Sequence, residues 1–285
     1  MRPVFHQKRV TSVHNLGQTV LVQTILLSTG SEIIAQLWVD PKSFQTVHAR
    51  WEVLRAGEGL STVSEEVPSL KGCVAYFGCG RAFRKALVEY PPVAAELFLG
   101  NVGALIQAET FLVSERGHPS MDAYVDYWKQ FYAGSCRYYS HLDEVQRSWE
   151  EYVSARRPGT NLFNRIKTIA IDDCDNGLLF RASLSDSFHE MALSFRFDPA
   201  GETICDALGD IVRAPDQVCP GAAAFIGRLN GFKPHGALRD KISKILGEGQ
   251  GCVHLIELAW EAVELLNDSE GGFRRGSFND RAPEV

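Results

Sequence analysis

Long apolar runs are missing from this 285-residue chain; no stretch of about 18 apolar residues occurs, so no segment is expected to span a membrane as a helix. Clustered positive charge is missing too. Lys and Arg total 29 against 35 Asp and Glu, and no basic run exceeds pairs such as Arg156-Arg157 and Arg274-Arg275. A phosphate backbone needs a concentrated cationic face, so nucleic acid is not expected as a partner. No dinucleotide fingerprint and no Gly-x-Ser-x-Gly elbow appears, and Gly78-Cys79-Gly80 matches a phosphate loop only in its glycines. No nucleotide cofactor is therefore expected.

Seven cysteines is an odd count without the dense spacing of a secreted disulfide framework. The N-terminal MRPVFHQKRVTSVHN carries no apolar signal core and no small-residue cleavage site. Both observations point to a cytoplasmic protein with reduced thiols. What is present is ordinary globular material, 45% hydrophobic and 22% charged, long enough for two domains of roughly 110–140 residues.

The chain reads as two diverged tandem copies of one α+β domain. VLVQTILLS at 20–28 and LLFRASLS at 178–185 alternate apolar and polar residues, the period of a strand. Each precedes a second alternating segment, EIIAQLWVDP at 32–41 and EMALSFRFDP at 190–199, and each Asp-Pro marks a turn. At a constant spacing of 158, Glu32, Asp40, Pro41, Arg55 and Ala56 fall on Glu190, Asp198, Pro199, Arg213 and Ala214. An Arg-apolar strand also recurs, Arg9-Val10 against Arg165-Ile166, and Leu70-Lys71-Gly72 parallels Leu229-Asn230-Gly231. Helical stretches follow at 81–90 and 237–246, then a Gly and an amphipathic helix at 99–112 and again at 250–265. Each copy is expected to hold an antiparallel sheet of three or four strands followed by two or three helices.

These patterns divide the chain into a first copy at 1–117, a helical linker at 118–158, a second copy at 159–267 and a flexible tail at 268–285. Tyr124, Tyr127, Trp128 and Phe131 give the linker an aromatic stripe at helical spacing. The stripe either clamps the two copies together or forms a wall that binds an apolar, aromatic substrate.

Only the second copy gathers groups suited to chemistry. Gly251-Cys252-Val253-His254 precedes an apolar helix, whose N-terminal dipole favours a thiolate and so predicts a lowered Cys252 pKa. Cys219 opens another helix, and His189 stands at the start of a strand. His189, Cys219, Cys252 and His254 are candidate ligands for zinc or iron. His254, Cys252 and Glu190 are candidate catalytic groups. In the first copy Ser31, Asn101 and Gly103 stand where the second has His189, Cys252 and His254, and no cysteine answers Cys219 near Leu60. The cluster disappears as a set while the hydrophobic pattern persists. Cys73 and Cys79 have no neighbouring His to complete a site and read as core or surface thiols, and Asp172 to Gly177 reads as a hairpin turn.

HEMALSFRFDPAGETI at 189–204, Pro215 with Cys219, Leu229-Asn230-Gly231, and Gly251-Cys252-Val253-His254-Leu255 with Glu257-Leu258 resemble a bacterial family called domain of unknown function 2889. The resemblance covers about 160–267 and implies a link to bacterial catabolism of aromatic compounds. More distantly, the order of elements is similar to iron–sulfur scaffold proteins of the NifU type, with His189, Cys219, Cys252 and His254 in comparable places. The chain departs from them in having His at the early position and in placing the late His two residues after its Cys.

Two functions are expected from these residues. One is a small-molecule enzyme, most plausibly of lyase type, acting on a hydrophobic, aromatic substrate. The other is a metal or sulfur carrier, or an interaction module with a structural metal. A homo-oligomer is compatible with either.

Overall fold

A computed structural model describes residues 1–57, 59–198, 203–235 and 238–265; Pro199 and the tail expected to be flexible lie outside the described residues. The chain opens with five strands, β1 (Arg2–Asn15), β2 (Val20–Ser28), β3 (Glu32–Val39), β4 (Thr46–Arg55) and β5 (Val63–Glu66). Helices α1 (Gly80–Ala86) and α2 (Pro92–Ala108) follow, then linker helices α3 (Met121–Phe131), α4 (Arg137–Ser140) and α5 (Trp149–Ser154). The second half holds β6 (Asn161–Cys174), β7 (Gly177–Asp186), β8 (Glu190–Phe197) and β9 (Ile204–Arg213). A 3-10 segment (Cys219–Leu229), α6 (Leu238–Ile245) and α7 (Val253–Glu264) close it.

Two separate sheets were the expectation, and the strands instead form one. All nine lie in a single antiparallel sheet ordered β5-β4-β3-β2-β1-β6-β7-β8-β9. The junction is the antiparallel pairing of β1 with β6, in which Val10 faces Ile166 and Arg9 faces Lys167. Each of these strands has 14 residues, long enough to hold its own hairpin partner on one side and the other half on the other. Merging the sheets removes two exposed edges, which is the physical gain over two separate domains.

The halves repeat one another in detail. β3 and β8 each have 8 residues, β4 and β9 each have 10, and both pairs start 158 residues apart as the sequence spacing predicts. Glu32 faces Arg55 as Glu190 faces Arg213, each beside a register shift. Gly72 and Gly231 share a positive φ, at 85° and 83°, and each donates its N–H to the first residue of the fourth strand of its half, Thr46 and Ile204. Such a φ is cheap only for glycine.

Burial alternates along the strands, as in BiBiBiB along most of β2, so one sheet face is core. α2 packs on β1, β2 and β3 and reaches β6, whereas α7 packs on β7 and β8. α2 begins at Pro92, well before the glycine expected to precede it, and runs through Gly100 and Gly103. Proline at the first turn lacks only an N–H that would be unpaired there in any case, so it starts the helix earlier than the glycines suggest. The two-residue hairpin between Cys174 and Gly177 is present, with Gly177 at φ 111°.

Candidate functional site

The linker helices bridge the halves: Tyr124, Val125 and Trp128 of α3 and Val153 of α5 pack into the core of the first half, while α4 meets the second. Arg137 donates its N–H to Gly251 O and its Nε to Val218 O, and Ser140 Oγ donates to Gly249 O. On the other side, Trp149 Nε1 donates to Thr110 Oγ1 of the first half. The linker thus touches both halves and roofs a cavity of about 100 Å³. Its walls include Tyr124 and Trp128 of α3, Tyr138 and Tyr139 of α4 and Trp149 of α5, and His189, Cys219, Cys252 and His254 line it as well.

The polar floor starts from the β7–β8 turn. Asp186 Oδ1 accepts the N–H groups of Phe188 and His189 at 2.8 and 2.7 Å, the short-range bond that aspartate makes in a tight turn. The same oxygen lies 3.2 Å from His189 Nδ1. Asp186 Oδ2 accepts Nε and Nη2 of Arg165 at 3.0 and 2.6 Å, and both side chains of this pair are buried. Burial opposes the Asp186 charge, but Arg165, His189 and His254 outweigh it and hold the carboxyl well below its usual range. An ionised Asp186 accepts only, so His189 carries its proton on Nδ1 and presents Nε2 to the cavity.

His254 is fixed by the same logic. Arg165 Nη2 lies 3.3 Å from His254 Nε2, and a guanidinium can only donate. Nε2 is therefore the acceptor and Nδ1 bears the proton, 3.9 Å from Cys252 Sγ. Burial, His189 and Arg165 together hold His254 well below the usual histidine pKa, against the pull of Asp186 and Glu257. A neutral His254 stands with its ring centroid 4.2 Å from that of His189, which leaves room for a single positive charge on the pair.

The thiols behave differently from the expectation. Cys252 is the N-cap residue of α7, yet burial pushes its thiol up to about 12, and burial likewise raises Cys219 to about 11. A helix terminus contributes about 0.3–1 kcal/mol to an anion, less than one pKa unit, whereas desolvation can move a buried group by several. Desolvation wins, and both thiols stay protonated at neutral pH.

Of the predicted site residues, the structure brings His189, Cys219, Cys252, His254, Tyr124 and Trp128 around one cavity. Glu190 does not join them: Met191 lines the cavity, so its neighbour along the strand points to the other face, 3.9 Å from Arg213. Tyr127 and Phe131 also stay outside, 39% and 49% exposed, because the inward stripe of α3 is carried by Tyr124, Val125 and Trp128.

Among the described residues, the group whose ligand atoms all lie within 4.8 Å of one another is Asp186, His189 and His254. Cys219 and Cys252 are not in it. Arg165 stands against two of the three, so a divalent cation there would face a guanidinium that does not deprotonate. The residues present do not fit a metal while Arg165 holds this position.

Sequence reasoning missed Asp186 as a site residue and noted Arg165 only as part of the repeat. Asp186 had a local signal, an aspartate three residues before a histidine at a turn between alternating segments. Arg165 had none, because it reaches the site across the strand pairing of β6 with β7.

Arg9, Thr11, Arg165, Lys167, Glu257 and Glu261 form the polar side of a second cavity of about 800 Å³, which shares His254 with the first. Lys167 Nζ lies 2.8 Å from both Glu257 and Glu261. Burial opposes the Glu257 charge, but Lys167 leads the groups that hold its carboxyl down to about 2.

No curated protein and no solved structure matches the chain. Residues 171–266, which carry Asp186, His189, Cys219, Cys252 and His254 but not Arg165 or the linker helices, match a family described as protein of unknown function (DUF2889).

Proposed function

We infer that the chain is a lyase-type enzyme acting on a small hydrophobic, aromatic molecule by acid–base chemistry without a nucleotide cofactor. The observation that carries this reading is one cavity with aromatic walls and a buried Asp186–His189 pair on its floor, beside a histidine kept neutral. The walls exclude water and offer ring faces to an aromatic substrate. His189 Nε2 takes a proton from a substrate hydroxyl or an acidic carbon, and Asp186 stabilises the imidazolium that forms. The freed electron pair expels a fragment from the adjacent carbon, and the imidazolium returns its proton to the leaving fragment. Neutral His254 permits that charge where a second imidazolium would oppose it.

The test is turnover of a panel of single-ring aromatic compounds, read by mass spectrometry as a released fragment. His189→Gln should abolish release while quenching of Trp128 and Trp149 fluorescence still reports binding. Unchanged release by His189→Gln would remove the assignment.

A second reading is a metal-binding carrier or scaffold, favoured by the proximity of Asp186, His189 and His254. It requires Arg165 to leave two of those ligands. Elemental analysis of untagged protein decides between them: stoichiometric zinc or iron supports the carrier. The first reading expects none until Arg165→Met vacates the position.

The reading also includes an origin for the two halves. We take them as a tandem duplication, on the strength of the shared strand lengths, the spacing of 158 and the paired Gly72 and Gly231 turns.

A further inference from the structure

The aromatic cavity is lined by one permanent charge. The thiols of Cys136, Cys219 and Cys252 stay protonated because burial raises them, His254 stays neutral, and His189 presents an acceptor. That leaves Arg137, the first residue of α4, whose guanidinium does not deprotonate. It is fixed in place. Its Nε donates to Val218 O and its N–H to Gly251 O, each at 2.8 Å. The guanidinium lies over Gly221, where a Cβ would stand 2.6 Å from Nε and 2.9 Å from Cζ. Its Nη groups have no acceptor among the described residues, and no carboxylate answers its charge. Asp186 is taken by Arg165, and Asp216 by the N–H groups of Gln146, Arg147 and Val218.

We propose that Arg137 receives a carboxylate of the ligand, so that the molecule held between the aromatic walls is an aryl carboxylic acid. With Nε held by Val218 O, the two Nη groups remain as a forked edge that matches the two oxygens of a carboxylate. The N-terminus of α7 opens on the same cavity through Cys252 and Val253 without a side-chain cap, and its dipole favours an anion too.

One cation balances one negative charge. A phosphate dianion would leave its second charge desolvated and unpaired, so a monoanion fits better. The rest of the lining is mostly aromatic or apolar, with Gln107 as a further polar side chain, and such walls hold a ring without fixing which way it points. The charged anchor supplies that direction. This names the substrate class of the acid–base reading, and it rests on that reading only in taking the bound acid as the substrate.

Benzoate and benzyl alcohol carry the same ring and differ in charge. Titration of each into the full chain, read by quenching of Trp128 and Trp149 fluorescence, should show benzoate binding tighter by a factor of about 10–100. Arg137→Met should remove most of that preference and leave the affinity for benzyl alcohol unchanged, a split that a merely structural role would not give. Gly221→Ala crowds the guanidinium and should weaken benzoate several-fold; it serves if Arg137→Met fails to fold by circular dichroism. His189→Gln should keep the preference, so a failed anchor and a failed acid–base reading give different results. The proposal is overturned if the native chain does not bind benzoate, binds benzyl alcohol as tightly, or binds phenyl phosphate more tightly. It is overturned equally if the preference survives unchanged in folded Arg137→Met or, where that variant does not fold, in Gly221→Ala.

Discussion

In the first half, Ser28 and Ser31 close the β2–β3 turn. Ser28 N–H donates to Ser31 O, Ser31 N–H donates to Ser28 Oγ, and Arg55 Nη2 donates to both carbonyls. In the second half, Asp186 and His189 close the β7–β8 turn with the same bonds. Asp186 N–H donates to His189 O, His189 N–H donates to Asp186 Oδ1, and Arg213 Nη2 donates to both carbonyls. The backbone arrangement is common to both, so the fold does not need the aspartate or the histidine. A serine oxygen satisfies the same N–H without placing a charge in the core. The second half accepts a buried carboxylate and must then supply Arg165 to balance it.

The polar layer beneath each turn shows the same divergence. In the first half Thr11, Thr24 and Asn101 form a closed, uncharged chain of bonds at 2.7 and 2.6 Å, with Asn101 Nδ2 donating to Ala35 O. Every partner there is internal. Across the central strand pair Thr11 faces Arg165 of the second half, where the layer becomes charged; Thr11, Thr24 and Arg165 all border the second cavity, so charge rather than access separates the halves. A neutral, self-satisfied network stabilises a fold, whereas a charged one with an unused acceptor such as His189 Nε2 can act on a ligand.

The comparison predicts its largest effect in turnover. If the proposed reaction holds, His189→Gln should lower its rate by a factor of about 10²–10⁴, the usual worth of a positioned general base, whereas Ser31→Ala should leave it unchanged. Steady-state kinetics of both variants checks this. Next comes stability: Asp186→Ala should cost about 3–5 kcal/mol in urea unfolding because it strands the buried Arg165 charge. Asn101→Ala should cost about 1–3 kcal/mol, since it leaves only neutral groups unpaired.

The pH dependence is smaller and separates the halves in another way. The folded-state pKa of His254 lies below its ordinary value of 6.5, so the unfolded chain takes up a proton first as pH falls through that range. The stability this histidine contributes is present above about pH 6.5 and is lost progressively below it. Asp186 adds a second loss at lower pH, beginning near its ordinary value of 3.8. Melting temperature between pH 7 and 5 should therefore decline in the native protein and decline less in His254→Gln. The smallest effect belongs to Cys252, whose thiol stays protonated. Cys252→Ser should change turnover only a few-fold, and iodoacetamide at pH 8 should label Cys252 far more slowly than an ordinary thiol.

Local pattern made much of this legible. Strand alternation located β2, β3, β7 and β8 to within a residue or two. The spacing of 158 anticipated the equal lengths of β3 with β8 and β4 with β9. His189, Cys252 and His254 stand out because the corresponding positions of the first half lack them, and they do share a cavity. Glu190 lies outside this cavity because adjacent strand residues face opposite ways, and only the observed register shows that Met191 has the inward place. Tyr127 and Phe131 belong to the same aromatic run as Tyr124 and Trp128, but the side of α3 that packs inward decides which of them are buried.

What the sequence by itself determined is the set of short-range choices: strand period, turn chemistry, the Pro and Gly positions, and the paired spacing of two halves. These follow from steric and hydrogen-bonding preferences acting over a few residues. The tertiary structure alone decided that the two halves share one sheet, that Arg165 sits between Asp186 and His254, and that Cys252 is too desolvated to ionise. Strand pairing brings together residues far apart in the chain, and the electrostatic character of a buried group depends on everything packed around it.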